Sequence, residues 1–325
     1  MTSITLTAPA KVNLFLKVLN KRKDSYHNLI NVFERIALAD TITISKIPIG
    51  IELRSDKLIT RDPMDNIACK AAKLILTSNK VKAGVKIEIK KRIPIAAGLG
   101  GGSSDAASVL VGIDRLFGLK LSRKTFIALG AQLGADVPFF LLNTPLALGQ
   151  SKGEKLRKLT LKEKLWHLVV FQGVKTSTKD IYEAFDASTM LGINPERSRR
   201  VDRLAAFRHR SGPGSGCLPK CLTINNLDDK MSFPSKKAVD YNMAESMLHN
   251  DLGSVVVGAN KSISSIIQCL ASSQDKHAIV SGSGPSVFCL YRTRREAIEG
   301  RRGLLGSIPA SGRKGWRMFI VETQV

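Results

Sequence analysis

Four groups of residues in this 325-residue chain have the types and spacing to do chemistry. The densest is Pro94-Ile95-Ala96-Ala97-Gly98-Leu99-Gly100-Gly101-Gly102-Ser103-Ser104, followed by Asp105. Glycines reach positive φ and let the backbone approach a ligand, so several N–H groups of such a loop can converge on one anion. Ser103 and Ser104 stand where a helix begins, and free amides, hydroxyls and the helix dipole there favour phosphate. The loop is not G-x-x-x-x-G-K-[ST], which needs a lysine. Nor is it G-x-G-x-x-G counted from Gly98, because Ser103 holds the sixth position. The second group is Lys11 and Asn13 in Ala8-Pro-Ala-Lys-Val-Asn-Leu14. The third is Asp136 in Leu133-Gly-Ala-Asp-Val-Pro138, a carboxylate able to act as a base or as a helix cap. The fourth is the adjacent pair Tyr26-His27, a stacking ring beside a hydrogen-bonding one.

These groups need elements to hold them. Val12, Leu14, Leu16 and Val18 alternate with Lys11, Asn13, Phe15 and Lys17, which predicts a half-buried strand with Lys11 and Asn13 on its polar face. Asn66 to Leu76 reads as a helix with Ile67, Ala71, Leu74 and Ile75 on one stripe, and Asn66 is its natural N-cap. Val85, Ile87 and Ile89 alternate with lysine and glutamate in a strand that runs into the glycine loop. Beyond the loop, Ala106, Val109, Leu110, Ile113, Leu116 and Phe117 keep helical spacing up to Gly118. A second helix runs from its cap, Ser122, to Gly134. Because Val137 precedes Pro138, extended backbone is predicted just after Asp136. Val287 to Tyr291 is a strand that follows a second glycine turn, Ser281-Gly-Ser-Gly-Pro-Ser286. The stretch 155–165 is the expected boundary between domains at 1–158 and 159–325, and 186–240 reads as irregular.

Composition narrows the class. With 43% hydrophobic residues the chain can bury a sizeable core. Its longest apolar stretch, Pro138 to Leu148, is far short of the ~20 residues that span a bilayer. The first residues lack the basic start and apolar run of an export signal, so a cytoplasmic protein without a membrane partner is expected. Five cysteines (Cys69, Cys217, Cys221, Cys269, Cys289) form no C-x-x-C pair and read as reduced thiols rather than a disulfide or zinc framework. The net charge of +23 is scattered, and aromatics are only 6%, so no nucleic-acid partner is assigned. Part of that charge is expected to steer anionic reactants. The densest basic run, Arg197 to Arg210, reads as a solvated insertion.

The loop at 94–104 resembles the second motif, P-x-x-x-G-L-G-S/G-S-S/G, of the superfamily of galactokinases, homoserine kinases, mevalonate kinases and phosphomevalonate kinases. Pro9-Ala-Lys-Val-Asn-Leu14 and Ser281-Gly-Ser-Gly-Pro-Ser-Val-Phe288 resemble its first and third motifs, in the right order. Within the superfamily, Ala8 to Leu14 followed by Ser25-Tyr-His-Asn-Leu29 is similar to the 4-diphosphocytidyl-2-C-methyl-erythritol kinase family. So are Leu133 to Phe139 and Asn225-Asn-Leu-Asp228. Three positions depart from that pattern: Ser25 stands for glycine, Asn226 for aspartate, and Ser151-Lys-Gly-Glu154 for G-x-G-E. The segment 188–221 has no counterpart.

The resemblance implies an α+β, two-domain kinase. Its N-terminal half would be like domain 2 of ribosomal protein S5 and its C-terminal half ferredoxin-like, with the site between them. It implies ATP-dependent phosphorylation of the 2-hydroxyl of a cytidine diphosphate-linked alcohol in the non-mevalonate isoprenoid route, by a monomer or weak homodimer. ATP would lie on Pro94 to Ser104, with Asn66 towards adenine. Mg²⁺ would ride mainly on the ATP phosphates, with no dedicated protein site. Asp136 would be the base, and Lys11 its charge partner, keeping it ionised and offsetting charge on the transferred group. Asn13 would orient the hydroxyl, Tyr26 stack on the cytosine, His27 bond its edge, and Tyr182 cover its other face. The alternatives weighed are a solvated lysine, a surface histidine, an ordinary helix tyrosine, another alcohol kinase of the superfamily, and a non-catalytic RNA-binding protein.

Overall fold

The structure, a computed structural model, describes residues 2–190, 223–225, 230–232, 238–274 and 276–325. Two long strands dominate its N-terminal half: β1 (Ser3–Lys21) pairs antiparallel with β2 (His27–Ile47) along almost its whole length. The register shifts between Pro9 and Ala10, between Asn13 and Phe15, and between Val18 and Lys21, and such irregularities re-aim the side chains that follow. Ile4, Leu6 and Ala8 join a core beneath helices. Past the first shift, Ala10, Val12 and Leu14 join a core shared with Val169 and Phe288 of a second sheet. The central part of β1 is therefore covered on both faces, and Lys11 and Asn13 are buried. This corrects the half-buried strand that alternation alone predicts.

β3 (Ile51–Ser55), β4 (Gly84–Lys90), β5 (Leu146–Ser151) and β6 (Lys155–Leu159) extend this sheet. β2 pairs with β4 through 41–47 and with β5 through 29–34, while β3 lies parallel to β4. The stretch expected as a boundary thus opens on a strand hairpinned to β5. Four helices serve this half: α1 (Ile67–Ser78), α2 (Gly101–Phe117), α3 (Arg123–Leu133) and the short α4 (Val137–Leu141). The buried stripe of α1 is Ala68, Ala71, Ala72 and Ile75, rotated slightly from the predicted one. In α2 the predicted positions Ala106, Val109, Leu110, Ile113 and Leu116 are buried, and Gly118 closes the helix in the left-handed conformation.

After β6 the chain enters a four-stranded antiparallel sheet in the order β11-β12-β7-β13. Its strands are β7 (Trp166–Phe171), β11 (Ala278–Val280), β12 (Val287–Tyr291) and β13 (Arg317–Glu322). The chain also forms α5 (Thr178–Met190), β8 (Thr223–Asn225), β9 (Lys230–Ser232), α6 (Tyr241–Ser246), β10 (His249–Asn250), α7 (Gly253–Ala259), α8 (Lys261–Gln274) and α9 (Arg294–Ser307). α5 carries helix to Met190, into the stretch expected to be irregular from 186. The Arg-rich run, Cys217, Cys221 and Asn226 to Asp228 lie outside the described residues.

The two halves interlock. β10 adds to the first sheet, parallel to β1 at Phe15 and Leu16. Between the sheets, His167 Nε2 meets Glu34 Oε2 at 3.0 Å and Thr323 Oγ1 donates to Glu34 Oε1 at 2.5 Å, all three residues being buried. A buried carboxylate left alone would cost several kcal/mol, so these partners hold the sheets in one arrangement. Among the described residues, no helix is long and apolar enough to cross a membrane.

Candidate active site

A cleft of about 1060 Å³ opens where β1, the glycine loop, α4, α5 and the second glycine turn converge. The loop is held from both sides. Lys11 N donates to Leu99 O (2.9 Å) and Ser286 N to Ala97 O (3.2 Å). A side chain on Gly98, at φ +75°, would put its Cβ 2.3 Å from Ser281 O and 2.8 Å from Gly284 O. The two glycine motifs are thus in backbone contact, and only glycine permits the approach.

Gly100 (φ +69°) starts α2 with no side-chain cap, and Ser104 N closes the first helical bond onto Gly100 O at 2.9 Å. The amides of Gly101, Gly102 and Ser103 are then the orphan donors of a helix start, and all three residues line the cleft. Ser104 does not. Its Oγ is buried without a partner, which corrects the expectation of two phosphate-facing hydroxyls: two consecutive helical residues point about 100° apart. Pro94 to Ser103 all line the cleft. Asn66 is absent from the cleft lining. Its Oδ1 caps α1 by accepting from Ala68 N at 2.9 Å, and its buried Nδ2 has no partner.

Beneath the loop lies a buried charge cluster. Lys91 Nζ donates to Asp40 Oδ2 (2.5 Å) and Asp105 Oδ2 (2.7 Å), while Asp40 Oδ1 accepts from Arg92 N and Ile93 N. The cluster ties the strand entering the loop to the helix leaving it. Burial pushes the Asp105 carboxyl up to about 7, against the pull of Lys91, with Asp40 adding to the rise. Lys91 shifts upward because the two carboxylates outweigh the cost of its own burial.

Across the cleft, Asp136 stands at the N-cap position of α4 with φ −85° and ψ −18°, yet its carboxylate makes no cap hydrogen bond. Val137 is the first helical residue rather than extended, because proline is well accommodated in a first helical turn and its restriction on the preceding residue is overridden here. The Asp136 carboxylate, about one-third exposed, meets buried Lys11 Nζ at 3.4 Å. Lys11 Nζ also donates to Asn13 Oδ1 (2.7 Å), and Asn13 Nδ2 to Asn31 Oδ1 (2.9 Å). Gly282 closes over this pair, where a Cβ would lie 3.1 Å from Asn13 Oδ1 and 3.3 Å from Lys11 Nζ.

The far end of the cleft is built from side chains. Tyr26 is 57% exposed, with Lys152 Nζ 4.1 Å from its ring centroid. His27 is buried, and the Tyr182 ring from α5 stacks on it at 5.2 Å and 20°. The Tyr182 hydroxyl pKa is raised, first by burial and then by the negative charge of Asp136. His27 Nε2 meets Asp186 Oδ1 at 2.7 Å, and Lys21 Nζ donates to Asp186 Oδ2 at 2.6 Å. Asp186 and Lys21 were not legible as site residues, although Asp186 lies four positions after Tyr182, on the same helical face. Lys152, which carried no sequence signal, also lines the cleft, as does Gly282 of the second glycine turn. Of the predicted residues, then, Lys11, Asn13, Tyr26, His27, Tyr182, Asp136 and 94–103 come together here, and Asn66 and Ser104 do not.

An uncapped, glycine-lined helix start facing a lysine-paired carboxylate is the arrangement of a phosphotransferase. Residues 66–144 match the family model described as GHMP kinases N terminal domain, which gives the class of the fold. The full length is similar to the 4-diphosphocytidyl-2-C-methyl-D-erythritol kinase of Syntrophus aciditrophicus (strain SB), at 33% identity over 98% of this chain and 99% of that protein. It is likewise similar to the enzyme of that name from Clostridioides difficile (strain 630), at 35% identity over 94% of this chain and 92% of that one. A crystal structure of 4-(cytidine 5'-diphospho)-2C-methyl-D-erythritol kinase superposes with a TM-score of 0.70 at 26% identity, covering 99% of this chain and 100% of that one. The chain belongs to the 4-diphosphocytidyl-2-C-methyl-D-erythritol kinase family.

Proposed function

We propose that the chain transfers the γ-phosphoryl group of ATP to the 2-hydroxyl of 4-diphosphocytidyl-2-C-methyl-D-erythritol, a step of the non-mevalonate isoprenoid route. The observation that carries this reading is the 3.4 Å pair of Lys11 and Asp136 facing the uncapped start of α2 within one cleft. Phosphoryl transfer needs little covalent chemistry from the protein; it needs a held γ-phosphate, neutralised charge and an oriented nucleophile. The amides of 101–103 and the Ser103 hydroxyl hold the phosphate. Asp136 accepts the proton of the substrate hydroxyl, and the Lys11 ammonium, 3.4 Å away, offsets charge on the phosphoryl oxygens. Asn13 is itself oriented by Asn31 and Lys11, so its rotamer is fixed before substrate arrives.

The cytidyl end fits Tyr26, His27 and Tyr182, with Tyr26 as the exposed ring free to stack on a base. Mg²⁺ neutralises the phosphates when bound with ATP. The ion would be carried mainly on the ATP phosphate oxygens, and Ser103, which lines the same cleft, would offer it a hard hydroxyl donor. The division at 1–158 and 159–325 is supported by the passage of the chain from the first sheet to the second beyond β6, whose last residue is Leu159.

The test is ADP release measured with four alcohols: the cytidyl substrate, mevalonate, homoserine and galactose. Turnover with the cytidyl substrate alone is expected. Turnover with another alcohol and none with the cytidyl compound would contradict the reading.

A further inference from the structure

His27 lines the cleft beside Asp186, a residue outside the predicted set that determines which ring nitrogen carries the imidazole proton. Asp186 is a carboxylate, which when ionised can only accept hydrogen bonds. Its Oδ1 lies 2.7 Å from His27 Nε2, so Nε2 must be the protonated nitrogen. Its Oδ2 is taken by Lys21 Nζ at 2.6 Å, so its negative charge is already matched by a full positive one. Of the two imidazole tautomers only the Nε2–H form can make this contact, and in that form Nδ1 keeps its lone pair. Tyr182, stacked on the same imidazole and one helical turn before Asp186, fixes the plane of the ring. Nδ1, with its lone pair, is then the ring nitrogen left to a ligand in the cleft that His27 lines.

We propose that Asp186 is a positioning residue that locks His27 as an Nδ1 acceptor and so makes the site select an amino-bearing pyrimidine over a keto-bearing one. An acceptor at Nδ1 pairs with an exocyclic N–H of cytosine. Against the keto oxygen of uracil it sets two lone pairs face to face. A site built to hydrogen-bond one group rejects an analogue that leaves its buried partner unpaired. Exchanging the carboxylate for an amide removes the lock, because an asparagine can donate to Nε2 and let the proton move to Nδ1. The inference rests on the cytidyl reading given above.

The experiment measures kcat/KM of the full chain and of Asp186→Asn with the cytidyl substrate and with its uridyl counterpart, alongside the KM for ATP. The wild type is expected to favour the cytidyl compound by about 10²-fold or more. In Asp186→Asn that ratio is expected to fall to within about tenfold, with the KM for ATP unchanged. Long-range ¹H–¹⁵N spectra of histidine-labelled protein, assigned with His27→Gln, are expected to show an N–H on Nε2 and a bare Nδ1 in the wild type only. A ratio unchanged in Asp186→Asn, or a wild-type spectrum with the proton on Nδ1, would overturn the assignment while leaving the kinase reading intact. A wild type inactive on both compounds would overturn that reading, and this inference with it.

Discussion

The two ends of the cleft are made of different material. At the end proposed for phosphate the material is backbone: the helix-start amides of 101–103, with the loop held by Lys11 N on Leu99 O and by Gly98 against Ser281 and Gly284. At the other end they are side chains drawn from separated segments: Lys21, Tyr26 and His27 from the β1–β2 hairpin, Lys152 after β5, and Tyr182 and Asp186 from α5. Backbone donors suit a ligand part that is the same whatever alcohol is phosphorylated. Side chains suit the part by which one substrate is told from another. Between the two ends stands the Lys11–Asp136 pair, where the proposed reaction has the transferred group meet its acceptor.

That contrast can be broken from either end. The largest effect is expected from Gly98→Ala, whose Cβ would lie 2.3 Å from a backbone oxygen at a positive φ. With no flexible side chain to yield, the glycine motifs must separate, at about 3 kcal/mol of stability. Denaturant unfolding should show this, and ATP affinity should fall while any residual cytidyl binding is kept. A smaller effect is expected at the other end. Tyr26→Ala removes an exposed ring and should raise the KM for the cytidyl substrate about tenfold, since stacking is worth ~1–3 kcal/mol per base. The KM for ATP should stay put; a change confined to ATP would mean that the two ends are exchanged.

The smallest effect concerns pH. The Asp105 carboxyl, pushed up to about 7, keeps its proton in the folded chain where the unfolded chain has lost it. Folded protein then binds more protons than unfolded between the ordinary carboxyl range and about 7, so stability falls as pH rises through that window. Melting temperature against pH should show this slope in the wild type and lack it in Asp105→Asn.

The same contrast explains what the sequence could reveal. The phosphate end is contiguous: strand, glycines, serines and helix follow one another in the text, and β4, α2 and the stop at Gly118 stand where periodicity put them. Yet which serine faces the cleft depends on where the helix starts, and Ser104 turned inward. Burial of Lys11 was not legible, because its face of β1 is covered by parts distant in sequence: the loop at Gly100, the Phe33 ring 5.9 Å from Nζ, and Gly282. The side-chain end depends on tertiary proximity, so Asp186 carried no signal beyond its spacing from Tyr182. Ser25 and Ser151, which stand where the family pattern has glycine, adopt φ +65° and +64°. Both turns thus adopt the left-handed conformation that glycine takes readily, and Ser151 Oγ accepts from Arg22 Nη1 at 3.2 Å, pinning the hairpin that carries Tyr26.

The most direct measurement is single-turnover phosphoryl transfer by Asp136→Asn, followed by rapid quench with ATP affinity determined on the same sample. If Asp136 takes the hydroxyl proton, the transfer rate should drop by roughly 10²–10⁴ while ATP binds as tightly as before. A transfer rate close to that of the wild type would contradict the central assignment.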